Sequence, residues 1–436
     1  MKKRAQDIIA HLKKHGHQAY FAGGCVRDHL RGVAPKDFDI ATSAHPAEIL
    51  KLYPGANTVG AHFGVILIRH HGWDFEIATF RADSEASDGR RPDHVTFTDA
   101  KEDAQRRDFT INGMFFDPEK QQVIDYVGGQ KDLAKGLIRA IGDPEKRFEE
   151  DYLRLMRAIR FATVLDFEIE KNTWQALQLH APEINQISPE RIRDELDRIW
   201  LSPRRVKGFD LLVESGLMQA IFPEIITLQG CEQPPQFHPE GDVFTHTRLM
   251  LSLLPDEIDS LPLVLSVLFH DIAKPATQTF DQADQRIRFN GHDSLGAQMT
   301  ADILRRLRYK NEVIEDASLA VKHHMSFINV QDMRTAKLKR MMARPTFPDE
   351  LELHRVDCLG SNGMLDNYHF IQQKEQEFAA EPLIPPPLIN GKDLIALGWK
   401  PGPAMGEILL KIQDLQLEST LTTHDEAIEW VKNKLI

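Results

Sequence analysis

Two short segments near the start of the chain constrain its fold more than any other feature. The segment FAGGCVRD (21–28) places two glycines at the opening of a predicted helix, and KDFDIAT (36–42) follows as a predicted strand. Successive side chains of a strand point to opposite faces, so Asp37 and Asp39 are expected to project to the same side. The order predicts a phosphate-binding turn beside a strand that carries two metal-binding carboxylates.

This combination suits the transfer of a nucleotide. Attack of a hydroxyl on an α-phosphate develops negative charge on the attacking and leaving oxygens, and two Mg²⁺ ions about 3.5–4 Å apart can stabilise both. Asp37 and Asp39 supply the oxygen ligands that such cations prefer. Gly23 and Gly24 let backbone N–H groups approach a triphosphate, and Arg27 is placed to meet the same phosphates. Either motif alone is more often an ordinary turn or a solvated strand edge, but their order and closeness favour a site.

Four segments in one order resemble the class II tRNA nucleotidyltransferases, which comprise CCA-adding enzymes and bacterial poly(A) polymerases. The first is GGCVRDHLRG with KDFDIAT, and the others are RRDFTINGMFFDP (106–118), IGDPEKRFEEDYLRLMRAIRFA (141–162) and SPERIRDEL (188–196). The resemblance implies a polymerase-beta-like head with a mixed sheet. One departure is Gly113, where alanine or serine is commoner, and we expect it to be tolerated.

The resemblance also implies roles for individual residues of the head. Glu76, on a strand predicted at 73–79, matches the family's third acidic residue beside the metal-binding pair. Gly24 and Arg27 are expected to meet phosphates. The residues of the second segment that are expected to order the triphosphate and the ribose are Arg107, Asp108 and Asn112. The structural alternative for this segment is a capping and ion-pair cluster at the start of a helix.

The third segment carries the predicted base selection. Asp151 and Arg154 are three positions apart, so we expect both on one face of a helix. A carboxylate acceptor beside a guanidinium donor can pair with the amino group and ring nitrogen of cytosine or adenine. In the family such a pair acts as an amino-acid template for CTP and ATP, whereas elsewhere this spacing is an everyday ion pair. Arg157, one turn further, is expected to contact ribose or phosphate.

Residues 81–92 are polar and rich in turn formers, which predicts a mobile loop. In the resembled family a loop here helps the site change from cytidine to adenosine, so its presence favours an enzyme that adds the terminal A. The base-reading pair and the loop are expected in CCA-adding and A-adding enzymes alike. The sequence therefore leaves open full CCA addition, A-only addition beside a separate CC-adding enzyme, and poly(A) synthesis.

The second half of the chain is predicted to be helical and carries repeated histidines. The positions that resemble the HD superfamily of metal-dependent phosphohydrolases are His246, His270, Asp271, His292, His323 or its neighbour His324, and Asp357. Such donors can hold a transition metal that activates water against a phosphate ester. Metal binding, hydrolysis and a supporting role for the RNA all stay open. An HD-type phosphohydrolase with a degenerate head is the alternative from another class.

We therefore predict an α+β protein that is mostly helical. Its predicted domains are a nucleotidyltransferase head (1–138), a helical neck for base recognition (139–235), an HD-type helical domain (236–365) and a helical tail (366–436). The expected function is Mg²⁺-dependent, template-independent addition of CCA to the 3′ end of tRNA from CTP and ATP. The oligomeric state stays open.

Composition adds constraints on partners and location. The net charge of −12 means that an RNA partner requires a locally positive surface. Basic runs at 305–310 and 334–344 are candidates for contact with the tRNA backbone. The three cysteines lack metal-ligand spacing, no segment is long and apolar enough to span a bilayer, and the N-terminal segment has the pattern of an amphipathic helix. We predict a cytoplasmic protein without membrane contact.

Overall fold

The computed structural model describes residues 1–57, 61–83, 95–236, 238–283 and 285–433. The chain forms two compact units. The first comprises Met1–Pro223 with Asp256–Ile258, and the second comprises Glu224–Pro255 with Asp259–Ile436. The finer division into four domains stays a prediction.

A six-stranded mixed sheet organises the head, as predicted. The strands of the first unit are β1 (Ala19–Ala22), β2 (Ile40–Thr42), β3 (Val65–His70), β4 (Trp73–Thr79), β5 (Arg81–Asp83), β6 (Val95–Phe97), β7 (Met114–Asp117), β8 (Gln122–Asp125), β9 (Leu137–Ile138) and β10 (Glu168–Ile169). The sheet order is β3-β4-β2-β1-β7-β8, in which β2 and β4 are parallel and the other neighbours antiparallel. β5 pairs with β6, and β9 pairs with β10.

The predicted carboxylates lie just before the central strand β2. Asp39 immediately precedes β2, so neither Asp37 nor Asp39 lies on the strand itself, which corrects the prediction. The alternation is kept because Phe38 is buried against Phe21, with ring centroids 5.2 Å apart, while both aspartates are exposed. The amide of Ala22 donates to the carbonyl oxygen of Asp39 (3.0 Å), which holds this segment beside β1.

Helices flank the sheet and then continue into the neck. Those of the first unit are α1 (Lys2–Lys14), α2 (Gly24–Leu30), α3 (Pro46–Leu52), α4 (Ala100–Gln105), α5 (Gly129–Ala134), α6 (Pro144–Glu149), α7 (Leu153–Leu165), α8 (Lys171–His180), α9 (Pro189–Trp200), α10 (Arg205–Glu214) and α11 (Leu217–Ile221). As predicted, α1 is amphipathic. It buries Ala5, Ile8, Ile9 and Leu12 in the core of the head, at the spacing of one helix face. In the neck, α7 packs against α9 and α10.

In its described residues, the second unit is helical apart from one small hairpin and the connecting loops. Its elements follow α12 (Pro223–Ile226) and are α13 (Val243–Leu253), α14 (Leu261–Phe269), α15 (Lys274–Thr277), β11 (Thr279–Asp281), β12 (Arg286–Arg288), α16 (His292–Arg306), α17 (Asn311–His323), α18 (Thr335–Met342), α19 (Phe347–Gly360), α20 (Asp366–Phe378), α21 (Gly391–Ala396), α22 (Pro403–Leu417) and α23 (His424–Lys432). α14 is buried from Leu263 to Phe269 and packs against α17 and α19. None of the helices in the described ranges combines the length and apolar composition that crossing a membrane requires.

Candidate active site

The turn between β1 and α2 brings together residues of the first family segment, GGCVRDHLRG with KDFDIAT, which we call the first motif; RRDFTINGMFFDP is the second motif. Gly23 has a φ of +69°, in the left-handed region that favours glycine. A side-chain carbon at this position would lie 3.3 Å from Nη1 of Arg107 and 3.8 Å from Oδ2 of Asp39. Gly24 opens α2, and a side-chain carbon there would lie 3.6 Å from Nη2 of Arg27. The two glycines therefore keep the backbone close to a carboxylate and two guanidinium groups.

Asp39 and Glu76 are neighbours across the sheet. The parallel register of β2 with β4 aligns Asp39, the residue before β2, with Glu76 on β4. Although Asp39 is exposed, the surrounding atoms reduce its hydration, and this effect is the largest cause of its raised pKa. The negative charge of Glu76 raises the pKa further, Arg107 opposes the rise, and Asp37 adds to it. The predicted acidic residues thus act on one another in one place.

The three head carboxylates fit a divalent cation on chemical grounds. Each offers oxygen ligands, and a cation would relieve the repulsion that raises the pKa of Asp39. Within the described ranges, the acidic and histidine ligand atoms that converge within 4.8 Å of one another lie elsewhere, in the second unit. A cation held by these carboxylates would need further ligands besides them.

A continuous chain of hydrogen bonds links the first motif to the neck. Arg27 donates from Nη1 to Oδ1 of Asn112 (2.9 Å), and Asn112 donates from Nδ2 to Oδ1 of Asp108 (3.1 Å). Asp108 also accepts at Oδ2 from Nε (2.8 Å) and Nη2 (2.6 Å) of Arg157. Four predicted residues are therefore linked one after another by hydrogen bonds. They also form an ion-pair cluster, which is the structural alternative that the sequence left open for RRDFTINGMFFDP.

Asp108→Asn is expected to destabilise the first unit. Burial by itself would raise the pKa of Asp108, but the charge and hydrogen bonds of Arg157, with Asn112 and the amide of Phe109, lower it to about 2 from a usual 3.8. This shift corresponds to about 2 kcal/mol of stability, present above about pH 4 and lost as the pH falls towards about 2. Urea unfolding at about pH 7 and about pH 3 should show a gap between wild type and variant that shrinks in acid. A gap independent of pH would contradict the assignment.

Asp103, which the sequence did not single out, holds the second motif in place. Its buried carboxylate accepts hydrogen bonds from Nε and Nη2 of both Arg106 and Arg107, at 2.7 to 3.1 Å. It also accepts from the amide of Arg81 at the start of β5 (3.2 Å). Arg107 in turn donates from Nη1 to the carbonyl oxygen of Asn112 (3.3 Å). The available signal was an acidic residue three and four positions before two arginines.

Asp151 and Arg154 have different partners in the neck. Asp151 lies in the break between α6 and α7, so the prediction that both residues lie on one helix is corrected. Its Oδ1 accepts from the amide of Leu153 (3.0 Å) and its Oδ2 from Nη2 of Arg191 (2.8 Å). Arg154, in the first turn of α7, forms an ion pair with Glu150. Arg191 lies in the family segment SPERIRDEL, but no role was predicted for it, and none was predicted for Glu150.

The backbone carbonyl of Arg106 joins the neck to the second motif. It accepts hydrogen bonds from Nη1 of Arg147 (3.0 Å) and from Nη2 of Arg154 (3.3 Å). Because Asp103 holds the side chain of Arg106, the residues predicted to read the base and those predicted to bind the phosphates share one anchor. Sequence spacing could not reveal this contact, since Arg106 and Arg154 are 48 positions apart.

The loop predicted at 81–92 lies mostly outside the described residues. The residues outside are 84–94, and the flanking strands β5 and β6 pair in register from Arg81 with Phe97 to Asp83 with Val95. The role of the loop in the change from cytidine to adenosine stays a prediction.

Gly113→Ala is expected to lower the free energy of unfolding by about 1 to 3 kcal/mol through overpacking. A side-chain carbon at Gly113 would lie 2.7 Å from Cγ2 of Val127 and 2.9 Å from Cδ1 of Ile141, so these two side chains already fill the space. Chemical denaturation measures the loss, and adding Val127→Ala should recover most of it. A single variant as stable as wild type would show that the site can relax freely.

A second cluster of titratable side chains lies in the second unit. His270 and Asp271 follow the buried helix α14, and Oδ1 of Asp271 lies 3.5 Å from Nε2 of His292. The prediction of His323 as the next member is corrected, because His324 faces the cluster, with its Nε2 3.1 Å from Nε2 of His292. His323 is half-buried and lines a different groove. Consecutive helical residues point about 100° apart, so only one of the two can face the cluster.

His246 and Asp357 extend this cluster, as predicted, and two further residues join them. Nε2 of His246 lies 3.1 Å from Oδ1 of Asp357, and its Nδ1 lies 2.6 Å from Oε1 of Glu240. The same Glu240 oxygen accepts a hydrogen bond from Nδ1 of His238 (2.9 Å). His238 and Glu240 are not among the predicted residues, and the segment HPE (238–240) shortly before His246 was the available signal.

The positions of the ligand atoms and ring nitrogens in the cluster fit a transition metal. The groups whose ligand atoms lie within 4.8 Å of one another are His238 with Glu240 and His246, His246 with His270 and Asp271, and Asp271 with His292 and His324. Burial by itself would lower the pKa of His246, but the facing carboxylates of Asp357 and Glu240 raise it to about 9, and in the described chain Nε2 of His270 is buried without a hydrogen bond of proper geometry. Burial lowers the pKa of His324 to about 4, so its imidazole is neutral, the form that binds metal. The cluster opens into a cavity of about 700 Å³.

Four sequence-family profiles match the chain in order. The one described as "Poly A polymerase head domain" matches residues 19–139, and "Probable RNA and SrmB- binding site of polymerase A" matches 166–228. The profile described as "HD domain" matches 243–355, and "tRNA nucleotidyltransferase domain 2 putative" matches 384–431. The order of these matches is the order of segments expected from the sequence.

Relatives that match nearly the whole chain are CCA-adding enzymes. The enzyme of Lactobacillus helveticus is 31% identical over 430 residues, which cover 98% of this chain and 95% of that enzyme. The enzyme of Geobacillus sp. is 32% identical over 437 residues, which cover 98% and 96%. Over 216 residues, 49% of this chain and 53% of the relative, identity to the CCA-adding enzyme of Limosilactobacillus reuteri rises to 44%.

Solved structures agree with this assignment. The Bacillus stearothermophilus CCA-adding enzyme in complex with CTP matches with a TM-score of 0.75 and 26% identity, over 99% of this chain and 97% of that chain. The Thermotoga maritima CCA-adding enzyme complexed with tRNA shares the fold, with a TM-score of 0.63 and 20% identity over 99% and 95% of the two chains. They confirm the predicted fold class, mostly helical with a polymerase-beta-like head. From these matches and the order of its motifs, this chain belongs to the family of CCA-adding enzymes and carries an HD domain in its second half.

Proposed function

We propose that this chain adds two cytidines and one adenosine to the 3′ end of tRNA, using CTP and ATP and no nucleic-acid template. The observation that carries the proposal is the convergence at the β1–α2 turn, where Asp39 and Glu76 are neighbours and Arg107 lies behind Gly23. Full-length relatives named CCA-adding enzymes support complete CCA addition over A-only addition or poly(A) synthesis.

In the proposed reaction the terminal 3′-hydroxyl oxygen of tRNA attacks the α-phosphorus of the bound nucleotide. A phosphodiester bond forms, the bond between the α-phosphorus and the bridging oxygen breaks, the hydroxyl proton is lost and pyrophosphate leaves. Asp37 and Asp39 would hold divalent cations, for which we propose Mg²⁺, and Glu76 would assist them. When bound, such cations stabilise the charge that develops on the attacking and leaving oxygens.

The hydrogen-bonded chain beside the glycines would order the rest of the nucleotide. We assign contact with the phosphates to Gly24 and Arg27, because both lie in the first turn of α2. The residues assigned to the triphosphate and the ribose are Arg107, Asp108, Asn112 and Arg157. Since these side chains already hold one another, binding would cost little conformational entropy.

Base reading would require Asp151 and Arg154 to exchange partners. Asp151 is now paired with Arg191 and Arg154 with Glu150, and both members of the base-reading pair are partly exposed. Their present partners are the more exposed members of the two pairs, with 39% of the Glu150 side chain and 35% of the Arg191 side chain accessible, so these partners can turn towards solvent while a base that offers an amino donor beside a ring-nitrogen acceptor takes their place. Cytosine and adenine share that edge, whereas uracil does not.

Incubation with three tRNA substrates tests the proposal. The substrates lack the whole CCA end, end in CC, or are complete, and each receives CTP, ATP or both before the product lengths are resolved on a gel. Growth of the shortest tRNA to a full CCA end, followed by arrest, is the expected result. Extension of only the CC-ended tRNA by one A would indicate an A-adding enzyme, and a ladder of adenosines a poly(A) polymerase. Either result would overturn the proposal.

The HD cluster favours a second candidate function, the hydrolysis of a phosphate ester. The carrying observation is the group of Asp271, His292 and His324, whose ligand atoms lie within 4.8 Å of one another and which line a cavity that also contains Lys274 and Arg288. Titration with Mn²⁺, Ni²⁺ or Zn²⁺, followed by hydrolysis of p-nitrophenyl phosphate, would test it against Asp271→Ala. Hydrolysis that persists undiminished in Asp271→Ala, or a wild type that binds none of these ions, would exclude this function.

The domain boundaries and the location of the protein are part of the proposal. Each family profile lies within one of the four predicted segments, to within one residue, which supports the division at 138, 235 and 365. We propose a cytoplasmic location because tRNA is the proposed substrate.

A further inference from the structure

The carboxylate of Glu240 lies behind His246, one of the predicted ligands of the HD cluster. Its Oε1 is 2.6 Å from Nδ1 of His246, whereas Nε2 of the same ring is 3.1 Å from Oδ1 of Asp357. Since Asp357 belongs to the predicted ligand set, Nε2 faces the ligands and Nδ1 faces Glu240. Unlike His246, Glu240 lies outside residues 243–355, which the HD domain profile matches.

The residues between Glu240 and His246 fold the carboxylate back onto the ring. Gly241 has a φ of +128°, in the region that favours glycine, and it turns the chain immediately after Glu240. Asp242 then caps α13, because its Oδ1 accepts a hydrogen bond from the amide of Thr245 (2.8 Å). His246 lies in the first turn of α13, so this turn and cap hold Glu240 beside the ring.

The ring of His246 has little freedom to rotate. Its side chain has no exposed surface, and the Glu240 side chain is only 8% exposed. The backbone at Gly360 packs close to the ring, because a side-chain carbon there would lie 3.6 Å from Nδ1 of His246. His238 donates to the same Oε1 of Glu240 (2.9 Å), and its ring meets that of His246 edge to face, with centroids 5.0 Å apart. These contacts keep the ring and the carboxylate in one geometry.

A carboxylate at Nδ1 decides which nitrogen of His246 is left for an ion. A neutral imidazole has one N–H donor and one acceptor nitrogen, whereas an ionised carboxylate only accepts. Glu240 therefore favours the form of His246 with its hydrogen on Nδ1, which directs the lone pair of Nε2 towards the ligand cluster. Partners of this kind orient a metal-binding histidine and raise its basicity, and their loss typically lowers metal affinity about 10–100-fold.

We propose that Glu240 is a positioning residue of the HD cluster, which holds Nε2 of His246 towards a divalent transition-metal ion. The inference rests on the second candidate function, which supplies the ion, and it does not depend on CCA addition. His238 supports the arrangement by holding the same oxygen of Glu240.

The alternative is that His238, Glu240 and His246 bind an ion of their own. Their ligand atoms lie within 4.8 Å of one another, which is close enough for such a site. That ion would need the lone pair of Nδ1 while the cluster's ion takes that of Nε2, and a neutral imidazole offers only one lone pair to a metal. The geometry therefore favours the positioning role for Glu240.

Metal binding by the full-length protein tests the inference with three variants. Glu240→Ala removes the carboxylate, and Glu240→Gln keeps an acceptor oxygen without the charge. Glu232→Ala is the matched control, because Glu232 is an exposed glutamate of the same segment. Titration with Ni²⁺ at one fixed pH gives the affinity and the number of ions per chain, and the visible absorption of bound Co²⁺ reports the coordination geometry. Thermal melting of the metal-free proteins shows whether each variant folds.

Glu240→Ala is expected to bind Ni²⁺ about 10–100-fold more weakly than wild type, with the same number of ions per chain and a changed Co²⁺ spectrum. Glu240→Gln should lie between Glu240→Ala and wild type, and Glu232→Ala should match wild type. Unchanged affinity in Glu240→Ala, or the loss of a whole ion, would overturn the inference. Should Glu240→Ala fail to fold, an affinity of Glu240→Gln equal to that of wild type would overturn it.

The same titration separates this inference from the functions proposed above. A wild type that binds neither Ni²⁺ nor Co²⁺ would refute the metal site of the HD cluster and the role of Glu240 together, and it would leave CCA addition unaffected. A wild type that binds these ions beside an indifferent Glu240→Ala would refute the positioning role alone.

Discussion

Asp37→Ala is expected to lower nucleotide incorporation by about 10³-fold or more, which corresponds to about 4 kcal/mol of transition-state stabilisation. The variant loses one of the two carboxylates that we assign to the catalytic cations, and their charge stabilisation is needed only as the reaction proceeds. Its affinity for tRNA should stay within about twofold, because tRNA backbone binding depends on positive side chains elsewhere. Single-turnover incorporation of CTP and filter binding of tRNA measure the two quantities separately.

A nearby aspartate serves as the matched control for Asp37→Ala. Asp74 is exposed on β4, two positions from Glu76, and its carboxylate lies 3.9 Å from Nε of Arg69. Asp74→Ala makes the same chemical change at a place that the proposed mechanism does not use, so it should incorporate CTP at the wild-type rate. Asp39→Ala should resemble Asp37→Ala. Normal transfer by Asp37→Ala would refute the assignment of the metal site.

Arg154→Ala is expected to lower kcat/KM for both CTP and ATP by about 100-fold, or about 2.7 kcal/mol. The guanidinium is assigned to donate to the ring nitrogen of the base, and its loss leaves that acceptor unpaired in the closed site. UTP should lose less, because its base offers a different hydrogen-bonding edge. The discrimination between CTP and UTP should therefore fall, as measured by kcat/KM for each nucleotide with the same tRNA.

Two further variants distinguish base reading from structural support. Arg154→Lys keeps the charge and the approximate length but lacks the planar donor fork, so it should recover stability without recovering discrimination. Lys146→Ala removes an exposed cation from the preceding helix α6 and should match wild type. Equal losses for all nucleotides in Arg154→Ala would contradict base reading. They would assign Arg154 only to the support of Glu150 and the backbone of Arg106.

Local sequence patterns determined much of the fold and of the site. The apolar spacing of α1, the strand pattern of β4 and the alternation around Phe38 depend on neighbours within a few residues, and each is confirmed. The motif order, from the glycine turn to the HD residues, also identified the family. Short-range periodicity and motif spacing can be recognised from the sequence alone, because they do not depend on contacts between distant parts of the chain.

Other features depended on partners that are distant in the chain. The roles of Asp103 and Arg191 were recognised only from their hydrogen bonds in the structure. His324 replaced His323 because only one of two adjacent side chains faces the buried cluster. The basic runs at 305–310 and 334–344 also look alike in sequence, and only the structure shows which carboxylates Arg306 and Arg340 contact.

The sequence by itself thus determined the family, the mixed sheet with its helical continuation, and the residue types available at each site. The tertiary structure alone decided which of these residues meet, for example that Asp108 pairs with Arg157, 49 positions away, and that Arg340 meets Asp414, 74 positions away. The physical reason is that helix and strand periodicity arise from the local backbone. Side-chain partners, pKa shifts and free space instead depend on packing between elements whose separation in sequence carries no information about their distance in space.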